Sequence, residues 1–110
     1  MELLQIGLAR NVLDAIENDA VESSVFALPA NATVVEWQTV FGEAPDAIDI
    51  DILTSTNGVD FEVIETTTDV SGETGNFVTA AVFVQAIINS VTGGTTTTVI
   101  LVPKQVTIEL

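Results

Sequence analysis

The sequence predicts an all-β protein: a single antiparallel β-sandwich, jelly-roll or immunoglobulin-like, of about 6–8 short strands, with an N-terminal arm or short helix before it. Three observations carry this. Val, Ile and Thr make up more than a third of the 110 residues, and β-branched side chains fit a pleated surface better than a helix. Several stretches alternate apolar and polar residues with a period of two. Turn signals, among them Asn57-Gly58 and Gly93-Gly94, punctuate those stretches at short intervals.

The elements follow in chain order. Leu4, Leu8 and Val12 recur at four-residue spacing, which suits a helix over Leu3 to Ile16. The same stretch suits a strand around Val12 to Ile16, or an arm whose Leu4, Leu8 and Val12 dock on a partner. Residues 1–18 are read as this arm or first element, and 19–110 as the sandwich. Ser23 to Leu28 reads as a strand closed by Pro29, and Thr33 to Phe41 as one closed by Gly42 and Pro45.

Two hairpins give the strongest local signals. In the first, Ile48, Ile50 and Ile52 alternate with Asp49, Asp51 and Leu53 before Asn57-Gly58. Asn-Gly suits a two-residue type I′ turn, which would set Thr54 opposite Phe61 and Ile52 opposite Val63. Ile48, Ile50, Ile52, Phe61 and Val63 would then share one apolar face. A one-residue slip would drive Asp49 and Asp51 into the core. In the second, a Gly93-Gly94 turn would pair Thr92 with Thr95, Ser90 with Thr97, Ile88 with Val99 and Ala86 with Leu101. These strands are apolar on both faces away from the tip, as central or partner-covered strands are. Gln105 to Leu110 reads as a last strand after Pro103.

The length allows one hydrophobic core and hence one domain. With no Cys and no His, disulfides, Cys/His zinc sites, Cys nucleophiles and His-based catalysis are excluded. The chain has 16 acidic residues against two basic ones, Arg10 and Lys104, for a formal net charge of -14. Two cations neutralise too few phosphates for nucleic-acid binding, and an anionic membrane surface would repel the chain. Apolar runs such as Ala80 to Val84 are far shorter than the roughly 20 residues of a membrane span. The start, MELLQ, lacks a basic n-region, so a soluble chain without a secretory signal is expected. The acid excess reads first as a solubility device for an apolar composition. Charge at this density opposes compaction, so added salt is expected to stabilise the chain.

The remaining chemistry is limited. Without His, Cys or Tyr, acid–base groups reduce to carboxylates and two cations. Asp49 and Asp51 would point the same way on one strand, about 7 Å apart, a separation compatible with inverting glycoside hydrolysis. Any solvated strand face gives the same pattern, and no enzyme is expected. Asp46, Asp49 and Asp51 are hard oxygen ligands suited to Ca²⁺, but the EF-hand spacing is absent. They read as a solvated acidic face, and no metal or cofactor is expected. Trp37, the single Trp, reads as core, with an interface anchor or sugar-stacking platform as the alternative. Lys104 reads as an ordinary exposed lysine rather than an isopeptide partner. Ser55 to Gly58 is explained by turn chemistry. Strand edges are usually blunted, often by Lys. A chain with one Lys is expected to cover its edges with other subunits, in a symmetric homo-oligomer.

Three segments resemble a pattern of small virion proteins of tailed bacteriophages. The stretch I-D-I-L-T-S-T-N-G-V-D-F-E-V-I, Ile50 to Ile64, is similar to their S-x-D/N-G-x-x-F/W hairpin. F-V-Q-A-I-I-N-S-V-T-G-G-T, Phe83 to Thr95, is similar to the Y/F-V-R-A-x-I-x-S-x-T-G-G-T segment that follows. V-F-A-L-P-A-N-A-T-V-V-E-W, Val25 to Trp37, resembles the strand–turn–strand before both. Together they cover about half the chain, and the N-terminal segment matches none of the pattern. Gln85 stands where the pattern has Arg, so any ion pair made by that Arg is missing. The resemblance implies a β-sandwich that decorates or cements a capsid, or forms part of a head fibre or tail. Its partners would be itself, with a trimer favoured, and the major capsid protein. It would reside on the virion surface and, during assembly, in the host cytoplasm. It would have no catalytic residues. The alternative within the same setting is a carbohydrate- or receptor-binding module of a tail or fibre, with Trp37 exposed in a groove.

Overall fold

A computed structural model describes residues 2–5, 10–16, 21–22 and 25–107, and the side chains of residues 25–105. The strands are β1 (Glu2–Gln5), β2 (Arg10–Ile16), β3 (Val21–Glu22), β4 (Phe26–Ala27), β5 (Val34–Phe41), β6 (Ala47–Ser55), β7 (Glu62–Thr67), β8 (Thr74–Val78), β9 (Phe83–Thr92) and β10 (Thr96–Thr107). β1 and β2 lie end to end along one side of β10, and β3 and β4 likewise along β9. Ten segments thus fill eight strand positions. One sheet runs β1/β2-β10-β5-β8 and the other β3/β4-β9-β6-β7, all antiparallel. Successive positions alternate between the sheets except β6 and β7, which are neighbours in one sheet. That connectivity is a jelly roll, which decides between the two sandwich types the sequence left open.

Alternation explains which side of each strand is inside. On β5, Val35, Trp37 and Thr39 are buried. On β6, Ile48, Ile50 and Ile52 are buried while Asp49 and Asp51 face outward. Val84, Ala86, Ile88 and Val91 of β9 meet Val99 and Leu101 of β10, together with Phe77 of β8, in one core. Each fully buried Ile or Val contributes about 1.5–3 kcal/mol relative to an exposed one. Buried Thr39 is satisfied: its hydroxyl accepts the N–H of Glu73 at 2.9 Å.

Three local expectations are corrected. Gly93-Gly94 does not close a hairpin, because β9 pairs with β6 and β10 with β5. Its apolar residues meet across the interior, not side by side within a sheet. The glycines, both with φ above +70°, carry the chain from one sheet to the other beside the β5–β6 crossover. There Asp46 N–H donates to Thr92 O at 2.7 Å, and Gly42 N–H to Thr96 O at 2.9 Å. As central strands, however, β9 and β10 match their two-faced apolar pattern.

The Asn57-Gly58 connection is a real hairpin with a longer loop and another register. Leu53 pairs with Val63, Thr54 with Glu62, and Ile52 with Glu65, with a bulge between Ile52 and Leu53. Asn57 organises the wider loop: its Oδ1 accepts the N–H groups of Val59 and Asp60, both at 2.8 Å. Ser55 Oγ accepts those of Asn57 and Gly58. Val63 is therefore 52% exposed, outside the face shared by the isoleucines, and Phe61 is half-buried.

The third correction is at Pro103, which does not start a new strand. β10 runs through it, and it falls where the neighbour changes from β2, ending at Leu101, to β1, starting at Lys104. A residue without an N–H is tolerated at such a gap in the ladder. The backbone of 2–5 and 10–16 is strand, not helix. Leu8 lies outside the described residues, and β8 was not foreseen.

Two glycines are required by close approach. A Cβ on Gly94 would sit 2.7 Å from Glu43 O, at φ +75°. A Cβ on Gly75 would sit 2.6 Å from Cζ2 of the buried Trp37 indole. Gly94→Ala and Gly75→Ala are each expected to lower the unfolding free energy by about 1–3 kcal/mol, measured by denaturant titration.

Candidate functional site

The two ends of the sandwich differ in chemistry. One end is formed by residues 42–46, 68–73 and 93–95. It carries Glu43, Asp46, Asp69 and Glu73. Asp69 is fixed by Ser71, whose hydroxyl donates to Oδ1 at 2.6 Å and whose N–H donates at 2.8 Å. These two bonds, the hydroxyl's first, hold the Asp69 carboxyl below the ordinary Asp range, outweighing a small opposing effect of desolvation.

The other end is formed by residues 28–33, 56–61 and 79–82. It is tied together by backbone bonds: Leu28 N–H to Val82 O at 2.7 Å, Val82 N–H to Ser55 O at 3.0 Å, and Thr79 N–H to Thr33 O at 3.0 Å. Between residues 28–33 and 79–82 lies a groove of about 510 Å³, lined by Leu28, Ala30, Ala32, Ala80, Ala81 and Val82 among others. Val78, 81% exposed, stands beside it, and Val59, 78% exposed, is in the neighbouring loop. No periodicity marks this surface in the sequence, because its residues come from separate loops.

The acidic residues singled out in the sequence separate. Asn89 Nδ2 donates to Asp51 Oδ2 at 2.9 Å and lies 3.5 Å from Asp49 Oδ1. Thr66 Oγ1 donates to Asp51 Oδ1 at 2.7 Å. Asp46 sits at the acidic end, against Gly93. Asp46, Asp49 and Asp51 thus form no three-carboxylate group, and among the described residues no cluster of three or more metal-ligating side chains occurs. The neutral neighbours of Asp49 and Asp51 make them part of a polar outer face.

Trp37 is 4% exposed and lies in the core. The structure shows the core reading of Trp37 and corrects the alternative, an interface anchor or stacking platform: Gly75 opposite leaves room for the indole inside. Its Nε1 has no hydrogen-bond partner. Lys104 pairs with Glu36 at 2.9 Å and is mostly buried at 21% side-chain exposure, more enclosed than an ordinary surface lysine. Gln85 is half-buried on the outer face of β9, opposite Leu53. Of the proposed arm residues, Leu4 and Val12 lie in β1 and β2. No helix among the described residues is long and apolar enough to cross a membrane.

No protein-family model matches the chain, and no curated protein matches it in sequence. Solved structures do. A structure of Bacillus endospore appendages, described as disulfide-linked pili, is 14% identical over 97% of this chain and 89% of its own, with a TM-score of 0.51. The SPBc2 prophage-derived protein YomS is 17% identical, covering 88% of this chain and 96% of its own, with a TM-score of 0.49. A family 11 carbohydrate-binding module from Clostridium thermocellum is 13% identical over 97% and 90%, with a TM-score of 0.45. At these identities the likeness is one of fold, the β-sandwich.

Two measurements check the site geometry. Trp37 emission should be blue-shifted and resistant to acrylamide and to soluble glycans; ready quenching would place the indole at the surface. Asp69, followed by NMR titration, should have a midpoint below the ordinary Asp value, and Ser71→Ala should raise it. Because the folded value is the lowered one, the linked stability is present above the ordinary Asp range and is lost as pH falls through the Asp69 midpoint.

Proposed function

We propose that this chain is a structural, non-enzymatic virion protein of a tailed phage: a homo-oligomeric capsid decoration or cement protein that binds the major capsid protein. A trimer is the favoured oligomer. One observation carries the reading. The three phage-like segments, far apart in sequence, form one contiguous unit. Val25 to Trp37 supplies β4 and the first half of β5, Ile50 to Ile64 most of β6 and the start of β7, and Phe83 to Thr95 supplies β9. β4 and β6 flank β9 in one sheet. The same segments build most of the apolar end, joined by the Leu28–Val82 and Val82–Ser55 backbone bonds. The resemblance therefore falls mainly on the β4-β9-β6 layer, with Val34 to Trp37 continuing into β5 of the facing sheet.

The mechanism is surface complementarity. Junctions between capsomers gain contacts that must break before the shell opens, while the acidic end faces solvent. A net charge of -14 keeps unbound copies from random association. Burial of Trp37 removes the stacking platform on which the carbohydrate-binding alternative rested.

Density-banded particles from the source cells, probed with antibody to this chain, test the reading. The chain should co-band with full and empty heads, and immunogold should label the head surface. Its absence from particles, or label confined to material outside head and tail, would refute the proposal.

A further inference from the structure

We propose that the open edge of β8 is a docking site for a cationic, extended segment of a partner protein, which adds to the β1/β2-β10-β5-β8 sheet as a further strand. The inference goes beyond the function proposed above and requires no capsid.

The phase of the backbone bonds defines the edge. Thr39 N–H donates to Glu73 O at 2.9 Å, and Thr79 N–H to Thr33 O at 3.0 Å. These two pairs bracket β8, whose register with β5 is unbroken from Thr74 to Val78. Hydrogen-bonded and non-hydrogen-bonded pairs alternate along an antiparallel ladder. Gly75 and Phe77 therefore bond to Trp37 and Val35, while the N–H and C=O groups of Thr74, Asn76 and Val78 point away from β5. Among the described residues no strand pairs with that side of β8. Residues 6–9, 17–20 and 23–24 connect β1, β2, β3 and β4, which line the far edges beside β10 and β9. Residues 108–110 continue from β10, which β5 separates from β8.

Edges of this kind are normally blunted by charge, proline, a bulge or a covering element. β7, the open edge of the facing sheet, carries Glu62 and Glu65 and meets β6 across a bulge. β8 reads Thr-Gly-Asn-Phe-Val, with no charge or proline, and pairs with β5 without a bulge. Thr74, Asn76 and Val78 are exposed, Val78 at 81%. Of the two neighbouring edges, one is defended and the other is a template for pairing.

Charge selects the occupant. β5 leads into β6 and β9 into β10, so the sheets face each other with β7 and β8 bordering the same side of the sandwich. From Glu62 to Val78 the chain carries Glu62, Glu65, Asp69 and Glu73 and no Lys or Arg. Of the two cations, Arg10 is in β2 at the far edge, and Lys104 in β10 is paired with Glu36. A second copy would bring the same four carboxylates against these, so like charge opposes β8-to-β8 pairing. A strand with Lys or Arg on its outer face and apolar residues on its inner face meets free backbone groups and carboxylates together.

Amide NMR of the full chain, titrated with a synthetic peptide of alternating Lys and Val, tests the inference. In the free chain the amides of Asn76 and Val78 should exchange with solvent faster than those of Gly75 and Phe77. With peptide, the Asn76 and Val78 amides should shift and become protected, and added salt should weaken the binding. A fully N-methylated peptide of the same charge should bind about tenfold more weakly or worse, as should a peptide with Glu in place of Lys. Asn76→Pro removes an outward N–H without touching a bond to β5, and should give a similar loss with a folded circular dichroism spectrum. Asn76 and Val78 amides already protected in the free chain would mean that the edge is covered, and would overturn the inference. So would the absence of shifts there at millimolar peptide. Binding of the N-methylated peptide as tight as that of the parent would mark charge alone and overturn it too. None of these results bears on the capsid reading, and failure of that reading leaves them unchanged.

Discussion

The structure depends on two chain crossings packed backbone to backbone. β5 passes into β6, and β9 into β10, at the same end, and each crossing moves the chain between sheets. A Cβ on Gly94 would meet Glu43 O at 2.7 Å and crowd the Pro45 backbone at 3.0 Å. Because the crossings travel together, β5 pairs with β10 in one sheet and β6 with β9 in the other. Those four are the longest of the described strands, and they hold most of the core. The shorter strands add to a frame this pair of crossings has already set.

The same constraint explains what could be read from the sequence. Alternation assigns the inner face of β6, because burial of Ile48, Ile50 and Ile52 leaves Asp49 and Asp51 only one place to go. It does not say which strand lies alongside. Gly93-Gly94 has the composition of a tight hairpin, but positive φ serves a crossover between sheets equally well, and local turn chemistry does not separate the two. Asn57-Gly58 does close a hairpin. There a side-chain network from Ser55 and Asn57 enlarges the loop, and the bulge shifts the pairing. β8, with Gly75 and Asn76 in five residues, has too little β propensity to stand out. Gly75 is there because of Trp37, a tertiary reason.

The candidate surface was less legible than the fold. Trp37 and the Asp46, Asp49 and Asp51 set attract attention because of residue type, yet the first is core and the others divide between an outer face and an end. The apolar end consists of Val and Ala, the residues least noticed in a sequence this rich in both. They become a patch only when three loops meet. The N-terminal segment, ambiguous by periodicity, is settled by β10, whose free side pairs with β1 and β2.

A fold of this type does not fix a function. The proposed role rests on polarity: contacts would be made at the apolar end, with the acidic end left in water. Hydroxyl-radical footprinting of the chain within assembled particles, against the dispersed chain, measures this most directly. Val59, Val78 and Val82 should lose reactivity on assembly while Phe41 and Val70, near the acidic end, keep theirs. Protection at Phe41 and Val70 with Val78 still reactive would contradict the account.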